Sequence, residues 1–277
     1  MIERFRSPAA VFLILVLAAG VGTAAAQSGL SVENPEWRLN GAYLRKLPAD
    51  LAEVITAPVR WDGKDLWTFA AVAGTTALLF AFDGEIYDWV QDHKTSSSMD
   101  ASRVISKFGN GGYLTGFLAV LYGSGELFGS RSVRKTALVG FESFLAASAV
   151  VTAIKLVVGR ARPYAHEGPE SFHPFSFTGR FMSFASGDAA GIFAVATTIA
   201  EQSDSFWLDA LAYATAGVTA FYRVHDRKHW PSDVFAGSAI GYFTARAIQA
   251  LNRNGNNVRV SFEAGPDRRS VTLSFAF

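Results

Sequence analysis

Six apolar stretches of helical length, at about 66–82, 113–123, 136–158, 189–200, 207–221 and 233–251, constrain this chain more than any other feature. They are rich in Ala, Gly, Phe and Leu, and the small residues among them let helices pack closely. Long apolar runs separated by polar links fit a helical bundle rather than a sheet. Half of the 277 residues are hydrophobic and 18% are charged, which suits a large buried core or contact with a membrane. The net charge of +1 gives no bulk electrostatic case for nucleic acid, so any important cations act locally. The chain has no cysteine, which excludes disulfides, thiolate metal sites and cysteine nucleophiles.

The ends read differently from the middle. Arg4 and Arg6, the apolar run Ala9 to Val21, and Ala24-Ala25-Ala26 before Gln27 have the layout of a cleaved export signal over residues 1–26. Residues 27–65, with Pro35, Pro48 and Pro58, are expected to be an extended or short-helical lead-in. The helical domain is expected over 66–251, with a polar link at 83–112 that carries a short helix and a loop. Within that link the serine run 96–98 reads as a solvated linker. Residues 252–277 alternate apolar and polar positions around Gly265-Pro266-Asp267, which predicts a β-hairpin packed on the bundle. The expected fold is therefore mainly α: a six-helix bundle with a short C-terminal β-hairpin.

Three segments carry the chemistry. Lys155-Leu-Val-Val-Gly-Arg-Ala-Arg162-Pro163 closes the third stretch, Ser183-Phe-Ala-Ser186-Gly187-Asp188 opens the fourth, and Arg223-Val-His-Asp-Arg-Lys-His229-Trp-Pro-Ser-Asp233 joins the fifth to the sixth. All three can meet at one end of a bundle. A phosphoryl group in transfer spreads negative charge over three oxygens, so catalysis is mostly positioning plus positive charge. Lys155, Arg162 and Arg223 would supply that charge, and Ser186 and Gly187 would add neutral donors at a helix start. A neutral His229 can attack phosphorus, with Asp233 taking the proton on its other ring nitrogen. This scheme needs no metal and no cofactor.

The ordered set resembles the type 2 phosphatidic acid phosphatase superfamily, which also contains vanadium haloperoxidases and bacterial non-specific acid phosphatases. The resemblance covers roughly residues 66–251. Its first motif, Lys-x6-Arg-Pro, is complete from Lys155 to Pro163, and its third, Arg-x5-His-x3-Asp, is complete at Arg223, His229 and Asp233. The family implies that His229 is the nucleophile, that Asp233 orients it, and that Lys155, Arg162, Ser186, Gly187 and Arg223 hold the phosphate. The middle motif departs: where the family reads Pro-Ser-Gly-His, this chain has Ala185-Ser186-Gly187-Asp188. The family histidine protonates the leaving oxygen, and Asp188 can replace it only in its protonated form. The implied partner is a phosphorylated small molecule or a lipid phosphate. Two alternatives stand beside the phosphatase: a weakly active or inactive phosphate-binding envelope protein, and a vanadate-dependent haloperoxidase.

The remaining polar residues read more plainly. His225 is expected in a solvated loop and Tyr222 in packing. His166, His173, Glu167 and Glu170 match no strong metal-ligand spacing. Phe172, Phe175, Phe177, Phe181 and Met182 either roof the site or latch the loop. The second, fourth and fifth stretches are short for crossing a bilayer. An exported bundle in the periplasm or cell envelope, with possible membrane contact, is the expected location, and an integral membrane enzyme is the alternative. Nothing in the sequence sets an oligomeric state.

Overall fold

The computed structural model describes residues 37–254 and the backbone of two further strands, Val258–Gly265 and Arg268–Phe275. The expected signal at 1–26 and the first part of the lead-in lie outside the described residues. Nine α-helices run through the described part. In chain order they are α1 Gly41–Thr56, α2 Gly63–Ala81, α3 Asp83–Asp92, α4 Ser96–Ile105, α5 Gly111–Leu127, α6 Arg131–Val158, α7 Gly187–Gln202, α8 Phe206–His225 and α9 Pro231–Asn254.

This corrects the expectation of six helices. Each apolar stretch became a helix, namely α2 and α5 to α9, and three more helices formed where the sequence is polar. The lead-in folds as α1, capped by Asn40, whose side chain accepts from the Tyr43 N–H at 3.0 Å. A buried polar knot holds it in place. Lys46 pairs with Asp50 and, at 2.9 Å, with Glu142 of α6, and Asn252 of α9 donates to the other Glu142 oxygen at 3.3 Å. The polar link supplies α3 and α4. The latter starts at a capping box between Thr95 and Ser98, so the serine run is a helix start rather than a linker.

The core sits between α6, α7 and α9, where Val139, Ala147, Val151, Ala190, Ala194 and Ile248 are buried. A second cluster joins α5, α7 and α8 through Leu114, Leu118, Ile192, Val195 and Ala216. Close approach of α9 to α7 depends on glycine. A Cβ on Gly237 would lie 2.3 Å from the Ser186 carbonyl oxygen. Gly237→Ala is expected to destabilise the protein by about 1–3 kcal/mol through overpacking, and a thermal melt checks this. Because the clash is with Ser186 itself, phosphate binding should weaken in the same variant.

Helix α6 ends at Gly159, which takes the left-handed conformation at φ 59° and donates to the Lys155 carbonyl at 2.9 Å. The loop from 160 to 186 then folds back on itself. Ala161 N–H bonds Ser171 O at 2.9 Å, His173 N–H bonds Gly159 O at 2.7 Å, and Ser183 N–H bonds Arg160 O at 3.0 Å. These ties bring Arg160 against the start of α9 and Arg162 beside the Met182 carbonyl. Strands Val258–Gly265 and Arg268–Phe275 pair antiparallel, Val258 opposite Phe275. Their placement on the bundle, and the turn residues between them, lie outside the described residues.

Candidate active site

The three motifs meet at one end of the bundle. His229, 2% exposed, sits in the turn between α8 and α9. Its main chain is fixed by the Arg223 carbonyl, which accepts from the Lys228 and His229 N–H groups at 3.0 and 3.2 Å. The ring Nδ1 lies 2.8 Å from the Ser183 carbonyl oxygen. A carbonyl can only accept, so Nδ1 carries the proton and Nε2 keeps its lone pair. Burial first, and then the charge of Lys155, lower the His229 pKa to about 4, so the ring is neutral at physiological pH.

Asp233 stands 3.8 Å from the same Nδ1, with Ser183 linking the two. The Ser183 hydroxyl donates to Asp233 Oδ2 at 2.5 Å while its carbonyl holds the ring. Asp233 also accepts from the Trp230 N–H at 2.9 Å and from Arg160 Nη1 at 2.6 Å. Although burial opposes it, the Arg160 charge and these hydrogen bonds hold the Asp233 carboxyl well below the usual range. The carboxylate is therefore a fixed anion that both orients the site and caps the first turn of α9.

Arg160 was not singled out in the sequence, nor was Asp83. Arg160 is fully buried and bridges two carboxylates: Asp233 at 2.6 Å and Asp83 at 2.7 Å, both equally buried. It also donates to Ser232 Oγ at 2.8 Å and to the Pro169 carbonyl at 2.9 Å. Phe80 lies across its guanidinium at 4.6 Å. Asp83, at the start of α3, accepts from the Ser232 N–H at 2.8 Å and so caps α9 a second time. The available signal was a second arginine inside the first motif, flanked by apolar residues. Asp83 offered none, because its partner lies 77 residues away.

The remaining cations surround the loop carbonyls. Lys155 Nζ donates to Met182 O at 2.7 Å and approaches Ser183 O at 3.4 Å. Arg162 Nη2 reaches the same Met182 oxygen at 3.3 Å, and its Nε is buried without a hydrogen-bond partner. Burial and the neighbouring Arg162 lower the Lys155 pKa to about 7. Ser186 is the N-cap of α7. Its N–H is taken by the Asp233 carbonyl at 2.9 Å, and its Oγ accepts from Ala189 N–H at 3.4 Å. Gly187 adjoins Lys155, since a Cβ there would lie 3.8 Å from Lys155 Cε. Arg223 Nη1 donates to Asp188 at 2.7 Å, and its Nη2 donates to Asp226 at 3.1 Å.

One lesser expectation changes. His225 is buried, not solvated. Its Nε2 meets Ser98 at 3.0 Å and its Nδ1 meets Asp226 at 3.0 Å. Glu167 and His173 form a surface pair at 2.8 Å, joined by Arg180 at 2.7 Å. Among the described residues no group of three or more His, Asp or Glu is placed to hold a metal ion.

The comparisons with known proteins agree with the three motifs. Residues 137–256 match the PAP2 superfamily model. At the level of the family this supports a phosphatase. Two solved structures are similar to the chain, each at a TM-score below 0.5. One is the crystal structure of LpxE from Aquifex aeolicus, 21% identical, with 60% of this chain and 93% of that chain covered and a TM-score of 0.49. The other is the first transmembrane PAP2 type phosphatidylglycerolphosphate phosphatase from Bacillus subtilis, 17% identical, with 66% and 95% covered and a TM-score of 0.48. No curated protein matches the chain.

Proposed function

We propose that this protein is a metal-independent phosphatase that works through a phosphohistidine on His229. The observation that carries this reading is the histidine itself: buried, neutral, and held by Ser183 O at 2.8 Å so that Nε2 is the free nitrogen. Nε2 attacks phosphorus and the bond to the leaving oxygen breaks. Asp188, when protonated, gives its proton to that oxygen. Water then attacks the phosphohistidine, Asp188 takes a proton from it, and phosphate leaves. Lys155, Arg162 and Arg223 stabilise the charge on the three phosphoryl oxygens.

The substrate class that the surroundings favour is a lipid phosphate. A groove of about 640 Å³ lies beside the motifs, lined by Val72, Trp89, Phe193, Phe221, Val234 and Tyr242 among others. Its wall includes Val224, Pro231 and Val234, each within two residues of Arg223, His229 or Asp233. Phe175 and Phe177 of the loop are exposed, as are Trp67 on α2, Val120 on α5 and Trp207 on α8. Apolar surface on this scale marks a lipid or partner contact. Helix α6 is long and apolar enough to cross a membrane, yet most of it is buried within the bundle. We place the protein at a membrane of the cell envelope, with lipid against its exposed apolar faces.

The test is phosphate release by the full chain in detergent, without added metal, from long-chain phosphatidic acid and from a water-soluble monoester. Turnover of the lipid at a higher kcat/KM supports the reading, and absence of turnover on both contradicts it. The pH profile is an expected outcome in its own right. Below about 4 the His229 ring gains a proton and cannot attack, and above about 7 Lys155 loses the charge that binds phosphate. The kcat/KM profile should therefore have an acid limb near 4, because it reports the free enzyme, and the loss of the Lys155 charge should add to the fall on the alkaline side. An acid limb at the ordinary histidine value of 6.5 would contradict the buried, neutral ring.

A second reading has one observation in its favour. Asp188 is bonded to Arg223, a phosphate-binding candidate, at 2.7 Å. A site disarmed in this way would bind phosphate without turnover, and Asp188→His would then create activity that the native chain lacks.

A further inference from the structure

Arg223 is bracketed by two carboxylates of different character. Asp226 is locked: the hydroxyls of Ser102 in α4 and of Ser106 just after it both donate to it, and His225 adjoins it, backed by Ser98. Asp188 is the open one, with about a third of its side chain exposed (35%), seated on Arg223 Nη1. The guanidinium therefore faces two anions before any substrate arrives. A fully ionised phosphoryl group approaching Arg223 would place a third anion against Asp188, and like charges at contact distance exclude one another. A single proton shared between an Asp188 oxygen and a phosphoryl oxygen removes that conflict and forms a charge-assisted hydrogen bond.

We propose that Asp188 makes phosphate binding proton-linked, so that the site takes up its phosphoryl group together with one proton and selects the singly protonated form. Whether the proton arrives on the phosphate or on the carboxyl, the stoichiometry is the same. The captured proton lies beside the group that must protonate the leaving oxygen, so the same event that admits the substrate also arms the acid. This rests on the reading of these residues as a phosphate site.

Other groups near Asp188 must be separated from it. From α8 it faces Arg223 and Asp226, and from α6 it feels the charge of Lys155, which Arg162 flanks in turn. On the remaining side Gly109 packs against it without charge. The site-end residue His229 is neutral above about pH 4. Lys155 titrates near 7 and will also take up protons when an anion binds, in the native chain and in an Asp188 variant alike. A difference between the two proteins isolates Asp188.

The experiment measures the affinity of methylphosphonate, whose dianion carries no proton and so matches the phosphoryl group of a monoester, for the full chain and for Asp188→Asn by calorimetry between pH 5 and 8, in buffers of differing ionisation enthalpy. The native chain is expected to take up about one more proton per phosphonate, so its affinity falls more steeply with pH by about tenfold per unit. Asp188→Asn is expected to bind at least about tenfold more tightly at pH 8, the two converging toward pH 5. Equal proton uptake, or weaker binding by Asp188→Asn at pH 8, would overturn the proposal. Absence of methylphosphonate binding in both proteins would bring down the phosphate-site reading itself, and this inference with it. A thermal melt checks that the Asn substitution at this half-buried position leaves the fold in place.

Discussion

His229→Ala is expected to lower phosphate release by roughly four orders of magnitude or more, because removing a nucleophile abolishes the covalent route. Phosphate affinity should change far less. Lys155, Arg162 and Arg223 remain, and none of their hydrogen bonds uses the imidazole. The fold should also survive, since the main-chain bonds of the turn run from Lys228 and residue 229 to the Arg223 carbonyl. The contrast between lost turnover and kept binding separates a chemical role from a structural one. A residual rate within about tenfold of the native chain would mean that another group attacks phosphorus, or that water does.

Arg160→Met is expected to cost about 3–5 kcal/mol of stability, the range for breaking a buried ion pair from one side. Arg160 lies between Asp83 and Asp233, and none of the three is exposed. Removing the cation strands two buried carboxylates that also cap the start of α9. For a chain of this size the melting temperature should fall by roughly 10 °C. Activity should collapse as well, because Asp233 and Ser183 lose the anchor that sets the His229 ring. Adding Asp83→Asn to Arg160→Met should recover part of the stability by removing one stranded charge. If the single variant melts within about 2 °C of the native chain, the buried triad is not what holds this end of the bundle.

Much of the architecture was legible because apolar periodicity is a strong signal. The runs at 136–158 and 189–200 lie within α6 and α7, whose bounds extend a few residues into polar caps such as Ser130 and Ser186. Where α1, α3 and α4 form, the sequence marked only an extended or short-helical lead-in and one short helix in the link, because these helices bury polar residues such as Lys46, Asp50, Asp83 and Ser102 beside apolar ones such as Tyr43, Val54 and Val90. In α4 and its C-cap, Ser98, Ser102 and Ser106 bond His225 and Asp226 of the α8 end. In α1 an internal Pro48 argued against a helix, yet the ion pair from Lys46 to Glu142 ties it to α6. Polar stripes of this kind leave no trace in hydrophobic spacing.

At the site, residue spacing picked out Lys155, Arg162, Ser186, Gly187, Asp188, Arg223, His229 and Asp233, but not Arg160 or Ser183 of the same segments, which bond Asp233. It did not find what orients them. The His229 ring is held by a backbone carbonyl, Ser183 O, and two cations converge on another, Met182 O. Carbonyl groups belong to every residue, so no sequence pattern marks them. Asp83 reaches Arg160 across 77 positions and lies outside residues 137–256, the part that matches the family. Contacts of that range depend on the packing of α3 against the loop, which local sequence does not encode.

The measurement that tests the central claim most directly is acid-free mass spectrometry of the enzyme quenched during turnover. The account predicts a phosphoryl group on His229, labile to acid and stable to base, which is absent from His229→Ala. Turnover with no phosphoenzyme at any time, or with the phosphoryl group on another residue, would contradict it.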